Sequence, residues 1–188
     1  VSMPTKDLQR WNQDGANMKA QLEKAGYNVD LQYANNDIST QVSQIENMIT
    51  SKCQVLVIAA IDGSALKNPL ENARKKKIPV IAYDRLIMNS KAVTYYATFD
   101  NYKVGTIQGN YLVENLKLNT RTADDPAYIE FFTGSPDDNN INFFFGGAMD
   151  ILKPYLEKGV LVCRSGQTEK AQCATLNWST EEAQKRME

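Results

Sequence analysis

The chain has 188 residues, with 21 basic and 22 acidic side chains, a net charge of −1 and no histidine. Near-neutrality excludes a global electrostatic grip on nucleic acid or anionic lipid, which needs a positive face. The missing histidines exclude Ser-His-Asp and Cys-His nucleophile arrangements and most zinc sites.

The N-terminal Val1–Thr5 segment reads as the tail of a strand. From about Arg10 to Ala25, Trp11, Met18, Leu22 and Ala25 recur at helical spacing, and Gly26 follows as a stop. Val29 to Tyr33 alternates apolar and polar, as a half-buried strand does, and Asn35-Asn36-Asp37 is a turn. Val42, Ile45, Met48 and Ile49 mark one face of a second helix. Val55 to Ala60 is a continuous apolar run of the kind found in parallel strands covered on both faces. A third helix carries Leu66, Leu70 and Ala73 and ends in the basic run Arg74–Lys77, a solvated end that suits the helix dipole. Ile78–Tyr83 and Tyr95–Phe99 are further strands.

After Asp100-Asn101 the pattern predicts a helix from about Tyr102 to Leu116, a polar stretch, and a strand at Tyr128–Phe132. A helix from about Asn142 to Leu152 before Pro154 and a strand at Gly159–Arg164 complete the alternation. Ser179-Thr180-Glu181-Glu182 fits a capping box opening a last helix. Strands separated by helices of this length imply right-handed βαβ units, so the expected fold is α/β, with doubly wound parallel sheets and flanking helices. Residues 1–101 are expected to form a first lobe and 102–188 the beginning of a second. Because both ends fall inside elements, the chain is expected to be a fragment. Unfinished sheets leave edges open to self-association.

None of the three cysteines forms a CxxC pair, so a metal knuckle is not expected. Cys53 precedes an apolar run and suits a buried thiol. Cys163 and Cys173, ten residues apart, could be bridged or free. There is no apolar run long enough to span a bilayer. The absence of GxGxxG and GxxxxGK[ST] disfavours a nucleotide, and no cofactor or metal is expected.

In open parallel sheets ligands sit beyond the carboxyl ends of the strands. There the reading places Thr5, Lys6, Arg10 and Trp11 after the first strand, Asp84 and Arg85 after Ile81–Tyr83, and Asp137 to Asn140 after Phe131–Gly134. Trp178 follows the last strand. Asp, Asn and Arg can each make two aligned hydrogen bonds to neighbouring hydroxyls, and an indole offers a face to the C–H side of a sugar ring. Taken singly, each has a structural reading. Trp11 could be core packing, Asp84-Arg85 a surface ion pair, Asp137 to Asn140 an Asx turn and cap, and Trp178 a staple beside its capping box.

Arg10-Trp11, Ser43–Met48, Val55–Ile58, Ala82–Arg85, Phe99–Asn101 and Gly134–Asn140 together resemble the periplasmic monosaccharide-binding proteins of ABC importers. The resemblance is to the branch with the xylose-binding and multiple sugar-binding proteins, and it spans essentially the whole chain. It implies a two-lobed extracytoplasmic protein, in some members lipid-anchored, that closes on a monosaccharide and presents it to an ABC permease without covalent chemistry. It further implies Arg10, Asp84 and Arg85 as first-lobe ligands, Asp138 and Asn140 as second-lobe ligands, and Trp11 and Trp178 as stacking groups. Later strands of the second lobe, which supply further ligands in the family, are not in this sequence. The effector core of a lactose-repressor-type regulator and a sensor ectodomain share the fold and are the alternatives. A glycosidase built on Asp84 and Asp138 is the least favoured.

Overall fold

The computed structural model describes all residues, Val1–Glu188. The chain divides into two compact units, Val1–Thr98 and Phe99–Glu188.

In the first unit the elements are β1 (Ser2–Met3), α1 (Gln9–Lys24), β2 (Gln32–Tyr33), α2 (Ile38–Thr50), β3 (Leu56–Ile58), α3 (Lys67–Lys75), β4 (Val80–Tyr83) and β5 (Val93–Ala97). The five strands form one parallel sheet in the order β2-β1-β3-β4-β5. Successive strand residues point to opposite faces. Met3 and Ala59 therefore pack with Trp11 of α1, while Leu56, Ile58, Val80 and Ala82 pack with Ile45, Met48, Leu66 and Leu70 of the α2–α3 side. Helices on both faces make the sheet doubly wound.

The helix starts have local causes. The Asp37 carboxylate caps α2 by accepting from the Thr40 N–H at 2.6 Å. The buried stripe of α2 is Gln41, Ile45, Met48 and Ile49, with Val42 only partly buried. The expected strand Val55–Ala60 is shorter than its apolar run. Ala59 N–H still bonds the Ser2 carbonyl of β1 at 2.9 Å, and the run leaves the sheet just beyond it, where Ile61 N–H bonds the Gln41 side chain at 2.9 Å. The last strand of this unit lies two residues earlier than its aromatic pattern suggests, at Val93–Ala97, with a register shift between Val80 and Ile81.

The second unit contains α4 (Asn101–Asn115), β6 (Ala127–Ile129), α5 (Asn140–Glu157), β7 (Leu161–Cys163) and α6 (Thr180–Met187). Its sheet is the parallel pair β6-β7. Val113, Leu118, Phe131, Leu152, Leu161 and Cys173 are buried together as its core. Close packing of α4 on α5 needs glycine. A Cβ at Gly105 would strike the Phe144 carbonyl, and one at Gly147 would strike the Tyr102 carbonyl. Asn140–Glu157 runs past Pro154, where the sequence pattern predicts a stop. Proline forfeits the N–H that would bond the carbonyl four residues back, but so near the C-terminus the helix loses only that bond. Gly159, at φ +70°, then ends it through the Gly159 N–H to Leu156 carbonyl bond. Ser179 caps α6 through the Glu182 N–H, while the Glu182 carboxylate pairs with Lys185 at 2.9 Å. No helix is long and apolar enough to cross a membrane.

Candidate sugar-binding residues

In the first unit four of the candidates form one cluster. Asp84 follows β4 directly, at φ +62°. Its N–H bonds the Ala97 carbonyl at 2.8 Å, and its carbonyl accepts from the Tyr96 and Thr98 hydroxyls at 3.1 and 2.9 Å. Left-handed backbone at a non-glycine residue is uncommon and tends to mark functional turns; aspartate tolerates it better than most residues. The turn aims the Asp84 carboxylate at Arg10, whose Nη2 lies 2.5 Å from Oδ2. Arg10 also pairs along α1 with Asp14 at 3.2 Å. Burial opposes the Arg10 charge, but the hydrogen bond and charge of Asp84 outweigh it, so the guanidinium holds its proton more firmly than in water.

Arg85 is anchored differently. Its Nη1 donates to the Ala60 and Ile61 carbonyls, each at 3.1 Å. The two neighbouring side chains thus reach in different directions, Asp84 to Arg10 and Arg85 to the backbone after β3. Trp11 is only 2% exposed and belongs to the core with Met3 and Ala59. The Arg10 and Arg85 guanidinium carbons lie 4.5 and 5.4 Å from its ring centroid. The indole therefore both packs in the core and holds two cations by their planar groups.

The sequence reading missed the residue beneath this cluster. Gln41 is buried and donates to Ser2 Oγ at 3.1 Å and to the Ala59 carbonyl at 3.0 Å, while its Oε1 accepts from Ile61 N–H. It fixes the same Ala59–Ile61 backbone that receives Arg85. The available signal was a glutamine standing at the apolar-stripe spacing of Ile45, Met48 and Ile49.

In the second unit Asp138, Asn140 and Trp178 also come together. Asp138 Oδ1 accepts from the Asn140 N–H at 2.9 Å, and Oδ2 accepts from Trp178 Nε1 at 3.1 Å. Asn140 Oδ1 accepts from Asn101 Nδ2 at 3.0 Å. Asp138 and Asn140 are buried. The Asx-turn reading of this loop therefore holds alongside the tie to Trp178. Asn177 and Trp178 are both left-handed, at φ +55° and +54°. The Asn177 N–H bonds Ser135 Oγ at 2.9 Å, and the indole lies so close over Gly134 that a Cβ there would overlap Cζ2 and Cε2.

A cavity of about 640 Å³ lies along α4, α5 and the Ile129–Gly134 segment, with Trp178 on its wall. Phe131, Phe132, Phe144 and Phe145 dominate it, and neither Asp138 nor Asn140 lines it. Its chemistry does not match a polyol, so the polar loop, not this cavity, is the candidate site.

A model of the periplasmic binding protein domain matches residues 1–188. The chain is 53% identical over its full length to the multiple sugar-binding periplasmic receptor ChvE of Rhizobium radiobacter and spans 52% of that protein. It is 40% identical over 153 residues to the D-xylose-binding periplasmic protein of Escherichia coli, covering 81% of this chain and 43% of that one. The chain thus spans about half the length of these curated relatives. Among solved structures, a solute-binding protein of an ABC transporter from Clostridium phytofermentans, with bound β-D-glucose, is 64% identical. The TM-score is 0.95, covering 100% of this chain and 57% of that one. With the family model matching from first residue to last, this chain belongs to the periplasmic binding protein domain family.

Proposed function

We propose that the chain is the sugar-capturing part of an extracytoplasmic solute-binding protein that delivers a monosaccharide of the xylose, glucose, galactose or arabinose class to an ABC permease. Residues 1–101 serve as a first lobe and residues 102–188 as the beginning of a second. The observation that carries this reading is the Arg10–Asp84 pair, held on a left-handed turn at the carboxyl end of β4 with Arg85 braced beside it. A charge pair of this kind presents donors and acceptors in fixed directions while remaining neutral overall, which suits an uncharged polyol.

Arg10, Asp84 and Arg85 are assigned to sugar hydroxyls, as are Asp138 and Asn140. Trp178 offers its ring, and Trp11 supports the two guanidinium groups. The sugar is bound and released with no covalent step. The names of the relatives, two of which are periplasmic sugar-binding proteins, support the location.

Calorimetric titration of the parent protein with D-glucose, D-xylose, D-galactose and L-arabinose tests the reading. Saturable heat with at least one of them, abolished in D84A, is expected. No heat with any of the four overturns it.

A further inference from the structure

The end of β7 and the turn at Lys170–Cys173 bring two thiols onto one acceptor. Cys163 Sγ lies 3.6 Å and Cys173 Sγ 3.2 Å from the carbonyl oxygen of Gln167. Both sulfurs belong to the same apolar cluster, Cys173 fully buried in it and Cys163 packed against it. Two thiols that share one acceptor oxygen lie no farther apart than the sum of those two distances, which brings them near enough for side-chain rotation to carry one sulfur toward the other. The third cysteine, Cys53, lies in the other unit, before β3.

We infer that Cys163 and Cys173 form an oxidisable pair whose disulfide staples the Arg164–Gln172 loop and pins the segment that carries Trp178.

The connection to Trp178 is short and hydrogen-bonded throughout. The Cys173 carbonyl accepts from Thr133 N–H at 2.8 Å, and Thr175 N–H bonds the Gly134 carbonyl at 3.2 Å. Trp178 N–H then bonds the Thr175 carbonyl at 3.2 Å, and the indole reaches Asp138. Fixing Cys173 to the end of β7 therefore fixes one end of this strap against the Phe131–Gly134 segment leading into the Asp138 loop.

The order of the two steps follows from exposure. Cys163 is part-exposed, while burial pushes the Cys173 thiol up and keeps it protonated. The oxidant is a small-molecule or protein disulfide. The Cys163 thiol, on losing its proton, attacks one sulfur of that disulfide; a mixed S–S bond forms and one thiolate leaves. Cys173 then loses its proton and attacks Cys163 Sγ, forming the internal S–S bond and expelling the second thiolate. The pair gives up two protons and two electrons, and the oxidant is reduced to two thiols.

The test is thiol mapping of the native protein equilibrated with oxidised glutathione, quenched with N-ethylmaleimide and digested with trypsin without reduction. The expected product is a single cross-link between the peptides Gly159–Arg164 and Ala171–Lys185, with Cys53 alkylated. Native-state tryptic cleavage after Arg164 and Lys170 should also slow about tenfold on oxidation, because the closed loop opens less often. C163S under the same oxidant should show neither change. Alkylation of all three cysteines after oxidation, or a bridge to Cys53, overturns the pairing. A cross-link without slower cleavage overturns the pinning. The oxidant is supplied in the test, so its outcome is independent of the location proposed above.

Discussion

Trp178 donates its indole N–H to Asp138 across 40 residues of sequence, at 3.1 Å, while its own backbone sits in the left-handed region. A bulky residue held there costs about 1–2 kcal/mol, so its conformation persists only because the Asp138 bond and the Gly134 contact determine it. W178F keeps an aromatic ring, smaller than the indole, and removes the donor. A hydrogen bond to a charged group contributes about 1.5–3 kcal/mol, so sugar affinity in the parent protein should fall about 10- to 100-fold by calorimetry, with circular dichroism unchanged. An unchanged affinity would detach Trp178 from the site.

Asp84 offers a way to separate stability from binding. At φ +62° glycine is the less strained residue, and that relief offsets the loss of an ion pair whose Arg10 end is half-exposed and whose Asp84 end is largely buried. D84G should therefore unfold within about 1 kcal/mol of wild type while losing sugar affinity by 100-fold or more (about 2.8 kcal/mol). A variant that unfolds readily would show that the carboxylate holds the first unit together.

Gln41 should behave in the opposite way. Q41L preserves volume but removes three buried hydrogen bonds, leaving the Ile61 N–H and the Ala59 carbonyl without their side-chain partner. The cost should be about 2–4 kcal/mol, read as a lower denaturant midpoint for the first unit. Arg85 depends on the Ala60 and Ile61 carbonyls, so sugar binding should weaken as well.

The contrast between these positions explains what the sequence could tell. Periodicity carried the element order, because Ile45, Met48, Ile49, Leu56 and Ile58 are placed by burial alone, and burial leaves a period. The polar candidates stood out because they fall just after strands, although Asp138 also closes an Asx turn and Asp84 also pairs with Arg10. Gln41 was not legible. It occupies a core position and its value lies in three partners distant in sequence, which no local pattern records. The left-handed backbone at Trp178 was hidden for the same reason, since a tryptophan gives no conformational signal of the kind glycine does. Pro154 misled in the usual direction, because a proline in a last turn forfeits one hydrogen bond and need not stop a helix.

The Glu130 carboxyl gives a pH test on the β7 side of the second unit. Hydrogen bonds from the Ser165 hydroxyl at 2.5 Å and from its N–H at 3.0 Å hold it below the ordinary carboxylate range. A depressed pKa in the folded state stabilises above the unfolded value, and the contribution is lost as pH falls through the folded one. Acidification should thus release the turn at Ser165 before global unfolding. In a carbon-detected NMR titration the Glu130 midpoint should lie below the ordinary glutamate range, and S165A should raise it. A Glu130 midpoint within the ordinary range in wild type would contradict the assignment.

Gly134 supplies the most selective perturbation of the candidate site. The methyl group of G134A would occupy the space now filled by the Trp178 six-membered ring, and the nearest atoms belong to a rigid aromatic. The ring must move, and with it the bond to Asp138. The core of the second unit is built on Val113, Leu118, Leu152 and Leu161, and the atoms nearest a Cβ at Gly134 all belong to Trp178. G134A should therefore keep its secondary structure and lose sugar affinity by about the factor seen in W178F or more, with a change in tryptophan emission from Trp178. The emission is separable from that of buried Trp11 by repeating the measurement in a W11F background. Should G134A bind normally, Trp178 can tolerate displacement, and the strap from Cys173 to Trp178 would be structural only. If the emission changes and affinity falls together, the indole's position over Gly134 is what the loop at Asp138 requires.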